Sequence, residues 1–436
     1  MPRKQKPEMS VDDPVRRSFL KQSLVGIGGA ALLSGHFDIA TAQTQMPPIG
    51  RPNSADDEGY WANVREYFHE SGDVVYMNNA SLGRCPRPVT QAIYDGYVAL
   101  GESGAEANSR MWNKVDASRR AVARFLGADQ DEVILTRNAT EGLAYIARGL
   151  QMESGEAVLM TTDEHGAGRG PWIKRADRYG LQIDRVKIPA PPASVDEVVG
   201  LFRRAITPKT RVVFFSHITR GPGLLLPAKE LCRMAREQGL VSAVDGAQSP
   251  GMTPVDLHDM GCDLFATSLH KWALTPPGTG ALYVKKEFND RFWPRSNGGG
   301  PWDGLSGIRN ARTEGTLERP VRVAIKTALD FINSIGLDTI IARNRMLSDQ
   351  LKDGLGKLSG VHLATSRDPA LSSSGITSFS IEGWSADLIG GILQGNFNIV
   401  TSEDVSRYNN MVRISTHFYN TPEEVDLLIR GVRSIL

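Results

Sequence analysis

The sequence predicts an α/β protein with a large domain on a mainly parallel, seven-strand sheet and a smaller α+β carboxyl-terminal domain. Three observations carry this. Short β-rich runs alternate with helix-like segments from residue 73 onward, the pattern of a sheet whose strands are joined by helices. The dense polar clusters follow those runs directly, where the carboxyl ends of parallel strands gather a ligand. After Gly315-Thr316 the texture turns to long helical periodicity, and then to further strand candidates.

Taken in order, the runs are residues 74–77, 132–135, 157–160, 211–215, 241–244, 264–266 and 280–284. The clusters behind them are 136–141, 163–165, 216–217, 245–248 and 268–271, which the topology would bring to one cleft. Residues 321–335 and 338–358 read as helices, and 376–381 and 411–414 as strands. A last helix opens at Thr421-Pro422-Glu423-Glu424, with Thr421 as N-cap, proline in the first turn and acids behind it. The expected domains are therefore 76–316 and 317–436, with 43–75 an amino-terminal segment packing on the small domain.

Bulk composition excludes several classes. The 436 residues are 41% hydrophobic and 23% charged, enough apolar material for a folded core. Fifty basic against 49 acidic residues, a net charge of +1, give no general attraction to nucleic acid. Cys85, Cys232 and Cys262 show no C-x-x-C spacing, so neither a disulfide framework nor a cysteine metal cage is indicated, and no metal site is expected.

The amino terminus reads as an address. Arg16-Arg17-Ser18-Phe19-Leu20-Lys21 precedes a weakly apolar run at 24–33 and an A-x-A site at Ala40-Thr41-Ala42. This resembles a twin-arginine export signal covering residues 1–42, which implies the twin-arginine translocase as a transient partner and a periplasmic mature chain. The apolar run is too short to span a bilayer, so no stable membrane insertion is expected.

Chemistry concentrates in Asp245-Gly246-Ala247-Gln248, Ser268-Leu269-His270-Lys271 and Pro276-Pro277-Gly278-Thr279-Gly280. Pyridoxal 5'-phosphate (PLP) needs an amine for its aldehyde, an acid for its pyridine nitrogen and donors for its phosphate, and all three residue types occur here. The order of the three motifs resembles the class V aminotransferase and cysteine desulfurase family, a PLP fold-type I group, and within it the isopenicillin N epimerase-like branch. The resemblance runs from about residue 76 to the end.

It implies roles position by position. Lys271 would hold the cofactor and later shuttle a proton, Asp245 would face the ring nitrogen, and His165 would stack on the ring opposite Ala247. Gln248 would donate to the phenolic oxygen. Ser268 and His270, with the turn at Ala139, Thr140 and Glu141, would hold the phosphate; taken in isolation, that turn reads as a plain helix cap. Thr316 would reach the phosphate of a partner subunit, which implies a homodimer. Arg413, in Val412-Arg413-Ile414-Ser415, would fork the substrate carboxylate, with Asn79 at the rim.

Two departures bear on the reaction. The loop at 401–407 has no cysteine, so the persulfide chemistry of desulfurases is disfavoured, and Cys232 and Cys262 read as small core residues. Arg220 stands where the family commonly carries asparagine or a small polar residue, and a guanidinium there should find an anion, either an internal acid such as Glu403 or Asp404 or a second carboxylate on the substrate. The expected substrate is an α-amino acid or an amino-acid-containing metabolite, processed by transamination or epimerisation, with C–S elimination as the alternative. Exported relatives of this kind are associated with pyoverdine maturation, which implies periplasmic tailoring of a secondary metabolite.

Overall fold

The computed structural model describes residues 49–293, 316–405 and 410–436, with the side chains of 290, 404 and 405 outside that description. The twin-arginine segment and its A-x-A site lie outside the described residues.

The main sheet contains β2 (Val133–Thr136), β3 (Ala157–Thr161), β4 (Gln182–Val186), β5 (Thr210–Ser216), β6 (Val241–Asp245), β7 (Leu264–Ser268) and β8 (Gly280–Val284), numbered after β1 (Val75–Tyr76). Its order is β2-β8-β7-β6-β5-β3-β4. Every pairing from β4 across to β7 is parallel, and β8 is antiparallel to both of its neighbours. Six of the seven apolar runs form strands of this sheet.

The seventh does not, and the difference is physical. Val75–Tyr76 pairs in parallel with Ile399–Val400, and Met77 is buried in the core of the carboxyl-terminal sheet, so that run is apolar for another domain's sake. The strand in its place, Gln182–Val186, lies at the sheet edge with only Val186 fully buried. An edge strand with wet faces needs no apolar run, so composition does not announce it.

Alternation along the central strands supplies two cores. Val158, Met160, Val212 and Phe214 turn to one side, against Leu143 and Ile146 of the helix Ala139–Gly149 and against Trp172. Val213, Phe215 and Val244 turn to the other, against Val122, Phe202 and Leu231 of three further helices. Strands covered on both faces read as continuous apolar runs, which is why they were legible.

The carboxyl-terminal sheet is antiparallel, ordered β12-β13-β10-β9. Its members are β9 (Val361–Leu363), β10 (Ile376–Ile381), β12 (Ser402–Val405) and β13 (Asn410–Ser415), while Ile399–Val400 is β11. Thr421 caps the final helix, Pro422–Arg433, in a reciprocal capping box with Glu424. The helix Arg319–Ile335, assigned by texture to the small domain, instead packs on the helices Arg87–Arg110 and Trp112–Phe125 and puts Ile325, Leu329 and Ile332 into the core under the main sheet. Periodicity marks a helix but not the surface that receives it. In the amino-terminal segment, Trp61 packs on Phe418 at 5.8 Å, and Arg343 bonds Glu58 and the Ala55 carbonyl.

Two buried histidines tie this body to pH. His417 is stacked between Trp272 and Tyr419, and burial pushes its pKa down from 6.5 to about 3; burial also takes His217 to about 4. Below pH 6.5 the unfolded chain binds protons that the folded chain refuses. Stability is therefore full above that value and falls as pH drops toward the folded values, by about 1.4 kcal/mol per pH unit for each such histidine. Replacing His417 with Asn should flatten the plot of denaturant unfolding free energy against pH by one histidine's share. An unaltered slope would reject the assignment.

Candidate functional site

The site lies where β2, β3, β5, β6 and β7 end, around a cavity of about 370 Å³, a size suited to a small-molecule ligand. Each strand hands over one piece of it.

At the end of β2 the chain turns into the helix Ala139–Gly149. Asn138 caps it by accepting from the Glu141 amide at 2.9 Å, and the Ala139 amide donates to the Ser268 hydroxyl oxygen at 3.0 Å. Thr140, second in the helix, has no helical acceptor for its own amide. A helix start with an unspent amide and the Thr140 and Ser268 hydroxyls on the cavity wall is a cradle for a dianion. His270 joins the wall; its Nδ1–H donates to the Thr279 carbonyl at 2.9 Å, which leaves Nε2 for the cavity. Burial lowers the pKa of that ring.

Asp245 ends β6. Its Oδ1 accepts from the Ala247 amide at 2.9 Å, the contact that orients the carboxylate, and Oδ2 remains for a cavity donor. The turn demands glycine next, because a Cβ on Gly246 would lie 1.8 Å from Cζ of Phe265. Burial raises the Asp245 pKa, against the Ala247 amide and the Lys271 charge, which lower it. Lys271 follows β7, half-buried. Burial lowers its pKa to about 8, helped by Arg413 and Arg220 and opposed by Asp245. An amine so placed loses its proton near neutral pH.

His165 follows β3 at the cavity mouth. Its Nδ1 accepts from the Ala167 amide at 3.1 Å and caps the helix Gly166–Tyr179, so the neutral ring carries its proton on Nε2. Desolvation, then the Lys271, Arg220, Arg413 and Arg169 charges, push its pKa down to about 4, and the ring is neutral at physiological pH. Ala247 lines the same cavity.

Arg413, on β13, is buried yet reaches the wall, its Nη2 donating to Asn78 Oδ1 at 2.9 Å and Ser81 Oγ at 2.7 Å. The loop carrying Asn78 and Ser81 docks on the lysine segment through the Gly83 amide, which donates to the His270 carbonyl at 2.9 Å. Gly83 itself must lack a side chain, since a Cβ would meet the Lys271 carbonyl oxygen at 1.9 Å. Arg220 lines the cavity beyond β5. Glu403, considered as its acidic partner, accepts from Thr401 at 2.7 Å and packs on Gly390, and the Asp404 side chain lies outside the described residues.

Two residues expected on this cavity stand elsewhere. Glu141 turns its carboxylate back onto Arg137, accepting from its amide and its Nη2 at 2.7 Å each and from Tyr145 at 3.0 Å. Asn79 is fully buried behind the wall, accepting from the Tyr419 hydroxyl at 2.8 Å and donating to the Lys271 carbonyl at 3.4 Å. Thr316 is exposed and off the cavity of its own chain. Gln248 does line the wall, but its Nε2 donates to the Ala80 carbonyl at 3.0 Å and its Oε1 accepts from Trp272 at 2.6 Å, leaving one amide hydrogen for a ligand. Sequence reasoning passed over Asn78, Ser81, Asn138, Glu164 and Ser216. All five adjoin named motif residues, and nothing in local sequence ranks them above ordinary turn residues.

The residues present fit PLP: an amine with a lowered pKa, a buried carboxylate with one oxygen to spare, a flat neutral ring on the same cavity wall as Ala247, and a helix start for the phosphate. Carried on a mainly parallel sheet with a smaller carboxyl-terminal domain, this set defines a fold-type I PLP enzyme. The chain belongs to the class V aminotransferase family, whose model matches residues 75–428. Isopenicillin N epimerase of Amycolatopsis lactamdurans is 31% identical over 397 residues, 86% of this chain and 98% of that protein. A probable cysteine desulfurase of Pyrococcus abyssi is 28% identical over 392 residues, 84% of this chain and 95% of its own length. Among solved structures, C-DES with glycine covalently linked to its PLP cofactor has a TM-score of 0.77 at 24% identity, covering 84% of this chain and 98% of that one. The apo cysteine desulfurase of Thermococcus onnurineus has a TM-score of 0.76 at 24% identity, covering 86% and 97%.

Proposed function

We propose that this enzyme takes an α-amino acid, or a metabolite bearing one, and moves the Cα proton with Lys271 in a transamination or epimerisation. The observation that carries the reading is that Lys271 and Arg413 line one cavity, with Arg413 already locked by Asn78 and Ser81. When bound, PLP supplies an aldehyde for covalent attachment and an electron-withdrawing ring that stabilises charge at Cα.

The protein's own parts divide the work. Lys271 Nζ would hold the cofactor and would serve as the base and acid for the Cα proton, a task suited to its pKa of about 8. Asp245 Oδ2 would be the carboxylate oxygen for the cofactor's ring nitrogen. His165, neutral, would cover the ring without adding a positive charge there. Arg413, held through Nη2 by Asn78 and Ser81, presents the rest of its guanidinium to the substrate carboxylate.

A second reading, elimination at a C–S bond, draws on the desulfurase relatives and starts from the same proton transfer. Persulfide chemistry has little support. Cys232 and Cys262 are buried core residues, and Cys85, set against the Thr275 carbonyl, has a thiol pushed up to about 12 by burial. Mutating Lys271 to Ala tests the principal reading: the visible absorbance of covalently held cofactor should vanish and turnover fall by several orders of magnitude, with circular dichroism unchanged. A borohydride-reducible linkage surviving in that variant would sink it.

Arg220 gives the substrate a second handle. Its guanidinium lines the same cavity as Lys271 and Arg413, so an additional acidic group on a ligand would meet a positive charge there. Arg220→Asn should weaken acidic substrates by about 1.5–3 kcal/mol, the usual value of a charge-assisted hydrogen bond, and leave neutral ones unchanged. Equal losses for both would make Arg220 a structural residue.

We further propose export through the twin-arginine translocase, a periplasmic role in tailoring a secondary metabolite of the pyoverdine kind, and a homodimer in which Thr316 reaches the partner's phosphate site. The signal and the exposure of Thr316 support these readings. With Arg16 and Arg17 intact, the protein should be recovered from the periplasm and sediment as a dimer; with both changed to Lys it should stay in the cytoplasm. Unimpaired export of the Lys pair, or a monomer mass, would count against them.

A further inference from the structure

Behind Asp245 lies a second carboxyl group for which the reaction above has no use. Glu164 ends the β3 segment one residue before His165 and is 2% exposed. Its Oε1 takes hydrogen bonds from the Thr161 hydroxyl at 2.7 Å and the Ser216 amide at 3.2 Å, and its Oε2 lies 2.6 Å from the Ser216 hydroxyl oxygen. Ser216 ends β5, stands in register with Asp245 on β6, and lines the cavity, whereas Glu164 does not. One hydroxyl group thus joins a hidden carboxyl group to the cleft.

The hydrogen-bond inventory makes this contact two-way. An ionised Glu164 can only accept, so the Ser216 proton must point at Oε2 and the cleft sees a serine lone pair. A protonated Glu164 donates from Oε2 to Ser216 Oγ, and the serine proton is released toward the cleft. Oε1 is already filled by two donors, so Oε2 is the oxygen that takes the proton.

We propose that Glu164 is a positioning residue whose own protonation sets the direction of its hydrogen bond to Ser216, and so decides whether Ser216 offers the cleft a donor or a lone pair.

The surroundings favour the neutral form below neutrality. From β5 come the Ser216 hydroxyl and amide, from β6 the Asp245 carboxylate; Lys271, beyond β7, acts on Asp245. Burial, with the like charge of Asp245, raises Glu164 to about 7 against the hydrogen bonds that lower it. As pH rises through that value Glu164 loses its proton, Ser216 turns inward, and a second negative charge appears behind Asp245.

The inference rests on the proposed reaction only for what Ser216 then touches. Its test is a pH-difference infrared titration of the holoprotein, which reads carboxylic acid directly and needs no turnover. The wild type should lose a carboxylic-acid band with a midpoint near 7. In Glu164→Gln, whose amide donates to Ser216 permanently, that band should be absent throughout. In Ser216→Ala the band should remain with its midpoint moved upward, since the carboxylate has lost a donor. A band that Glu164→Gln leaves in place, or a midpoint that Ser216→Ala leaves unmoved, overturns the inference. Either result would leave the assignment of Lys271 untouched, because the bands report protonation and not catalysis.

Discussion

The register of β5, β6 and β7 is the constraint on which the rest of the site depends. Ser216 stands opposite Asp245, and Asp245 opposite Ala266, so β5 and β6 end level and β7 runs two residues further, to Ser268. Parallel strands need helical crossovers, and those helices bury both faces of the sheet, leaving the strand ends as the place where polar side chains can meet a ligand. Residues 138, 165, 216, 245 and 271 converge for that reason, although the first and last lie about 130 positions apart in the chain.

Burial then turns this convergence into chemistry. Asp245 and Lys271 are both desolvated, and desolvation disfavours charge on each: it raises the carboxylic acid and lowers the amine. The opposite charges partly offset these costs for one another, which keeps Asp245 in use as an anion while Lys271 stays within reach of its neutral form. Arg413 and Arg220 push the amine further down and hold His165 neutral. Glu164, bonded to the back of the same wall, is raised by its burial and by the Asp245 charge.

The carboxyl-terminal sheet contributes by contact between segments far apart in the chain. Arg413 faces the cleft because Asn78 and Ser81, 335 and 332 residues away, accept its hydrogen bonds. Their loop is in turn pinned to the lysine segment through Gly83 and Asn79. Asn79 matters by holding that loop, which explains why it sits behind the cavity wall and not on it. Glu403, at the edge of the same sheet, accepts from the Thr401 hydroxyl at 2.7 Å.

Sequence alone determined what depends on local pattern. Buried strands between covering helices show as apolar runs, the Thr421 cap shows as its own motif, and the order of the Asp245, Ser268 to Lys271 and Gly280 motifs marks the family. These signals survive because burial on both faces and capping act over a few residues. Tertiary structure decided what depends on partners distant in the chain. It moved residues 74–77 to β11, supplied β4 as a polar edge strand, and set the helix Arg319–Ile335 against the large domain. It turned Glu141 onto Arg137, and it placed the Glu164 carboxyl against Ser216. A side chain's partner is chosen by whichever strand end or loop packs beside it, and that neighbour is written nowhere in the residues that flank it.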